Sequence, residues 1–326
     1  MNVLEDSIRA GEIHRKVREY IEPLVKPNVK IIDLVNLIED KIREEVQKSI
    51  EESQVLYGPQ INGGIAFPTG ISINNVAAHY TPLRKDETII KESDVVKIDY
   101  GVHLNGHIID AAFTINLDNK FKKVLDASRE SVSTIIKEIG VGSRFNELSQ
   151  LSKEIVESYE LVEDQVLKVI DNLAGHNILP WKIHGGKLLY GLPNPESEDL
   201  KVCDGDKMAI EIFVSNGDGT TMLDLNPRNY THYMLKSNDY IPLFQNKKTN
   251  ELSKIIKNNF KTLAFCPRFI DNINKKHVNY NHNLQELFRN GILNSYPPLL
   301  ETDPNSVVAQ FEHTIIVGET RKMVLS

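Results

Sequence analysis

Apolar residues near the start of the chain recur at helical spacing, first as Ile8, Ile13, Val17, Tyr20 and Ile21, then as Ile31, Leu34, Leu37, Ile38, Ile42 and Val46. A period near 3.6 predicts two amphipathic helices, parted by Pro23 and Pro27. The pattern then changes. GIAFPTGISINNVAAHYTP, residues 64–82, is rich in Gly, Pro and Asn and reads as short strands with turns. KIDYGVHLNGHIIDAAF, residues 97–113, sets two β-branched runs around Asn105-Gly106, the strongest short-range signal for a hairpin with a two-residue type I′ turn. Residues 121–139 and 145–161 return to helical spacing. The Gly- and His-bearing NLAGHNILPWKIHGGK, 172–187, places His176 in a loop, with His184 eight residues on. KMAIEIFVS, 207–215, and SVVAQFEHTIIV, 306–317, read as strands, and 248–294 as helical. One α+β domain spanning 1–326, with a helical insertion at about 232–296, is the simplest division.

The hairpin raises a chemical question. With Asn105 and Gly106 as the turn, Asp110 faces Gly101 and Asp99 faces Ala112. The two carboxylates then become diagonal neighbours on one face, roughly 7–8 Å apart at the backbone. Such a pair repels unless a cation or a proton sits between its members. Three further polar residues interrupt apolar patterns: His176 after Gly175, Glu211 between Ile210 and Ile212, and Glu312 on the strand face of Gln310. Each alone is more often a satisfied interior polar group. Together, two Asp, two Glu and one His form a carboxylate-dominated set suited to two divalent cations. The four carboxylate charges would be neutralised, and a water between two such ions would ionise near neutral pH, so hydrolysis is the reaction class implied.

Composition narrows the setting. The 326 residues are 40% hydrophobic and 25% charged, with 38 basic against 45 acidic side chains, a net charge of −7. That argues against nucleic-acid binding as a whole-surface property. Cys203 and Cys266 are too few for a disulfide framework, which points to a reducing compartment. The charged opening segment lacks the apolar core of a signal peptide, and no segment approaches 18 uninterrupted apolar residues. A soluble, cytoplasmic protein that neither spans a membrane nor binds nucleic acid directly is expected.

Taken together, AFPTGISINNVAAHYTP, KIDYGVHLNGHIIDAAFT, LAFC, YPPL and AQFEHT resemble the type 2 methionine aminopeptidases of the pita-bread metallopeptidase family. The resemblance runs from about Ile8 to the C-terminus. It implies a pita-bread fold, an antiparallel sheet core flanked by helices. The implied activity is hydrolysis of the initiator methionine from nascent proteins with a small second residue, by hydroxide bridged between two ions of manganese, cobalt, iron or zinc. Asp99, Asp110, His176, Glu211 and Glu312 are the implied ligands, with Asp110 and Glu312 bridging. His79 matches the residue beside the metals that fumagillin-type epoxides attack, His184 matches a contact to the scissile amide, and Glu211 shuttles the proton. Phe67, His232, Ala264 and Tyr296 match the methionine pocket. The implied partners are nascent N-termini and, through them, the ribosome. The family's usual long charged N-terminal extension is absent or nearly so, so ribosome contact through such a tail is not expected. Two departures stand out: the bulky Leu179, Pro180 and Trp181 between the histidines, expected near the path of residues after methionine, and Ile212 where Thr is common. Either would narrow substrate or inhibitor range. Competing readings are a prolidase or proline-specific aminopeptidase, disfavoured by AAHYTP and the insertion, and a non-catalytic ribosome- or RNA-binding adaptor, disfavoured by the complete ligand set.

Overall fold

Helices α1 (Val3–Ile21) and α2 (Ile31–Glu52) form where the apolar spacing predicts them, burying Ile13, Val17 and Ile21 of one and Ile31, Leu34, Ile38 and Ile42 of the other. The computed structural model describes residues 3–52, 62–159, 166–226, 229–237, 241–273 and 280–326. Short strands β1 (Gly63–Ile65), β2 (Gly70–Ile73) and β3 (Val76–Ala78) lead to the hairpin of β4 (Val95–Leu104) and β5 (His107–Asn116). Asn105 (φ 50°) and Gly106 (φ 83°) both take the left-handed conformation that a type I′ turn requires. The register is the one expected, Gly101 opposite Asp110 and Asp99 opposite Ala112.

Helices α3 (Lys122–Glu138) and α4 (Phe145–Glu157) follow; residues 160–161 of the second predicted helix lie outside the described residues. Strands β6 (Lys168–Val169), β7 (Ala174–Asn177), β8 (Leu188–Tyr190), β9 (Lys207–Ser215) and β10 (Thr221–Leu223) come next. His176 therefore stands on a strand rather than in a loop. The four-residue β7 was too short to show a period, and it fits against β9 because a Cβ at Gly175 would lie 2.5 Å from the Ala209 carbonyl oxygen.

Among its described residues, the region read as helical has three helices between two paired strands: β11 (His232–Leu235), α5 (Lys247–Phe260), α6 (Pro267–Ile273), α7 (Asn281–Arg289) and β12 (Leu293–Tyr296). Register runs from His232 opposite Tyr296 to Leu235 opposite Leu293. Lys261, at φ 51°, ends α5, and Phe265 then exchanges backbone hydrogen bonds with Tyr233. Leu252, Ile256, Phe265, Phe269, Leu284 and Leu287 form this segment's own apolar cluster. Strands β13 (Leu299–Glu301), β14 (Val308–Val317) and β15 (Lys322–Val324) complete the chain.

Two sheets meet at the centre. One pairs β4 with β1, β2 and β5; the other runs β15-β14-β9-β7-β8, with β6 on β9. Threonines join them: Thr114 Oγ1 donates to the Gln310 carbonyl and accepts from its N–H, and Thr314 Oγ1 does the same for Asp110. Alternation then sorts the faces. Tyr100 stacks on His14 of α1 with ring centroids 4.1 Å apart, and the Ser128 hydroxyl of α3 donates to the Ile212 carbonyl. Asp99, Asp110, Glu211 and Glu312 point the other way, into a cavity. Among the described residues no helix is long and apolar enough to cross a membrane.

A buried ion pair fastens α6 to α2. The Arg268 guanidinium donates to Glu39 through both Nη atoms, at 3.0 and 2.9 Å, and also to the Thr81 hydroxyl and the Pro82 carbonyl. Removing Arg268 leaves the buried Glu39 with only the exposed Arg43 guanidinium, 3.5 Å away, as a counter-charge. Arg268→Met is expected to lower stability by roughly 3–5 kcal/mol, measured by urea unfolding, and Glu39→Gln with Arg268→Met to recover part of that loss.

Candidate metal centre

Five strands supply the five ligand-type side chains: Asp99 on β4, Asp110 on β5, His176 on β7, Glu211 on β9 and Glu312 on β14. His176 Nε2 lies 3.6 Å from Asp110 Oδ2 and 3.9 Å from Glu211 Oε1. Donor atoms of Asp110, His176 and Glu312 all fall within 4.8 Å of one another. The Gln310 side-chain amide donates toward Glu211 at 3.1 Å, Glu312 at 3.4 Å and Asp99 at 3.5 Å. Gln310 shares the Glu312 face, and that alternation was the signal for its part in the site.

Electrostatics demand a further charge here. Burial raises the Asp99 carboxyl to about 7 and that of Glu211 to about 8, the second aided by Asp99. Burial and the neighbouring carboxylates raise Asp110 and Glu312 as well. Among the described residues no lysine or arginine lines the cavity. Asp99 Oδ1 and Glu312 Oε1 are buried without a hydrogen-bond partner. Buried oxygens left bare, facing an imidazole that burial keeps neutral, suit divalent cations.

The cavity is about 520 Å³, and every residue expected at the site borders it. Phe67 comes from the turn before β2 and His79 from the residue after β3; His232, Ala264 and Tyr296 come from the β11–β12 segment. His79 holds a left-handed backbone, φ 64°, unusual for a residue other than glycine. Its ring centroid is 5.7 Å from that of His232 and 5.9 Å from that of Tyr296. Burial, with some help from His184, lowers its pKa to about 4. The His184 ring stands edge-on to His176, centroids 4.4 Å apart. Ile183, Met234, Phe213 and Leu299 also line the cavity. Their positions carry only an ordinary apolar pattern, so the sequence offered no signal for them.

The space over Gly101, opposite Asp110, is filled by the Phe67 ring, since a Cβ there would lie 2.2 Å from Phe67 Cε1. Two expectations from the sequence need correction. Leu179, Pro180 and Trp181 do not border the cavity. Trp181 folds back over the hairpin turn, where its N–H donates to the Gly106 carbonyl. Ile212 sits one residue out of phase with Glu211 and is buried in the core on the opposite face of β9.

Comparison with known proteins agrees with this geometry. The model of Metallopeptidase family M24 matches residues 6–319. Methionine aminopeptidase 2 of Schizosaccharomyces pombe is 39% identical over 324 residues, 98% of this chain and 72% of the relative. That of Dictyostelium discoideum is 37% identical over 329 residues, 100% of this chain and 71% of the relative. Among solved structures, a thermophilic Arx1 superposes with a TM-score of 0.81 at 18% identity, covering 100% of this chain and 91% of that one. The methionine aminopeptidase of Thermotoga maritima gives 0.64 at 19%, covering 98% and 95%. At such identities the likeness shows the fold alone, the pita-bread arrangement of antiparallel sheets and flanking helices. The chain therefore belongs to metallopeptidase family M24 and, within it, to the methionine aminopeptidase 2 enzymes.

Proposed function

We propose that this chain removes the N-terminal methionine of polypeptides, nascent chains among them, with Asp99, Asp110, His176, Glu211 and Glu312 holding two divalent ions from the manganese, cobalt, iron and zinc group. The observation that carries the reading is a single cavity with two unlike walls. One is the carboxylate set, and the other is built of Phe67, His232, Ala264 and Tyr296. Aromatic and small residues suit a flexible, polarisable thioether. The segment between His232 and Tyr296, which carries three of these four, is read as an insertion that serves the pocket.

When bound, the ions would polarise the scissile carbonyl and lower the pKa of the attacking water. Glu211 takes the proton of that water and passes it to the departing amine nitrogen as the carbon–nitrogen bond breaks. The Gln310 amide, 3.1 Å away, steadies its carboxylate. His184 stays neutral because burial lowers its pKa, and its ring N–H is free to meet the amide carbonyl. Burial keeps His79 neutral as well. A neutral imidazole keeps a lone pair on one ring nitrogen, which an epoxide of the fumagillin type would meet as a nucleophile.

With manganese or cobalt added, a Met-Gly-Met peptide is expected to lose its first residue while Xaa-Pro peptides stay intact; the reverse selectivity would favour a prolidase. Glu211→Gln should lower kcat by about 10²–10⁴. A second test uses pH. Raised carboxyl pKa values stabilise the metal-free fold below the ordinary carboxylate range, and that contribution is lost as pH climbs through about 7 to 8. Ligands must shed protons to bind metal, so the gain in Tm on adding manganese to EDTA-treated protein should grow between about pH 5 and about pH 8. Thermal scans across that range would show it, and a gain independent of pH would place the metal elsewhere.

A further inference from the structure

No hydrogen bond to a described residue holds the His184 ring, which has the His176 and Tyr296 rings beside it. Its position is therefore set by the backbone that carries it. That backbone is a small hairpin: Leu179 and Lys182 exchange both N–H to carbonyl bonds at 2.9 Å, and Gly185 N–H donates to the Asn177 carbonyl at 2.6 Å. Pro180 and Trp181 form its tip. Trp181 has φ 62° after a proline, the pattern of a type II turn at the position normally given to Gly or Asn. A left-handed tryptophan persists only where its surroundings hold it.

Five contacts hold it. The Trp181 N–H donates to the Gly106 carbonyl at 2.9 Å. Its indole covers Gly106 so closely that a Cβ there would lie 2.3 Å from the ring. The Lys261 ammonium sits 3.7 Å from the ring centroid, and the Thr262 hydroxyl donates to the Trp181 carbonyl. Inward, the indole packs on the cluster containing Ile178, Ile183 and Leu263, where Phe67 and Met234 of the cavity wall also rest. One residue thus ties the β4–β5 turn, the end of α5 and the β7–β8 connection bearing His184.

We propose that Trp181 is a positioning residue, clasping the hairpin tip between Gly106 and Lys261-Thr262 so that His184 stands where the scissile amide passes. The inference rests on the part given to His184 in the proposed reaction. Trp181 is the chain's only tryptophan, so its emission reports the clasp directly.

The test is a double-mutant cycle on Met-Gly-Met cleavage by the metal-loaded enzyme. Trp181→Gly relieves the backbone strain and removes the clasp, and is expected to lower kcat about tenfold or more, because small misplacements of a catalytic group are costly. Trp181→Phe should restore most of that loss. In a His184→Ala background, the further effect of Trp181→Gly should shrink to about twofold or less. If Trp181→Gly does not fold, Thr262→Val with Lys261→Met carries the same cycle, with a red shift of Trp181 emission marking the opened clasp. An unchanged kcat, or the same fold-loss in both backgrounds, overturns the positioning role and leaves His184 in place. Full kcat in His184→Ala alone overturns both.

Discussion

Four carboxylates placed in a dry interior repel one another, and the proteins that carry such a set must supply positive charge or keep protons on it. Asp99, Asp110, Glu211 and Glu312 face a common cavity with no lysine or arginine among its described lining residues. Much of the surrounding architecture follows from that constraint. The threonine seam between β5 and β14 sets Asp110 against Glu312 across two sheets, and Gln310 offers the one neutral donor that three of the four share. Helices α1 and α3 lie on the far face, where apolar residues alternate with these acids.

The opposite wall has a different origin. The carboxylates stand on long strands whose register leaves little freedom, whereas the pocket residues arrive on turns and on a segment with its own apolar cluster. That segment is held to the body by the Arg268–Glu39 pair and by the Trp181 contacts. His79 lies two residues before Thr81, which the Arg268 guanidinium grips. The carboxylates and three of the four proposed pocket residues thus stand on different parts of the fold, while Phe67 reaches the cavity from the turn before β2.

Legibility in the sequence followed the same division. The Asn105-Gly106 turn fixed the hairpin register in advance, so Asp99 and Asp110 were placed correctly from spacing alone. Glu211 and Glu312 announced themselves by breaking apolar alternation, and they prove to be directly opposed across β9 and β14. His176 was found although its strand was not, because four residues cannot display a period. Where chain segments cross without sharing a ladder, spacing carries no information. The fold of Trp181 over Gly106, the Phe67 ring over Gly101 and the entry of Met234 into the cavity wall are all of that kind. Ile212, read as a departure that narrows substrate range, faces the core instead, since its neighbour Glu211 takes the cavity face.

If the interior carboxylates serve to hold two divalent cations, the protein must bind them without any substrate present. Titrating metal-depleted protein with manganese, with bound and free ion separated by equilibrium dialysis, tests this without recourse to catalysis. Saturation is expected at about two ions per chain for the native protein and at most about one for Asp110→Asn, whose carboxylate is read as shared by both ions. Saturation at two ions in the Asp110→Asn variant, or no binding by the native chain, would contradict it.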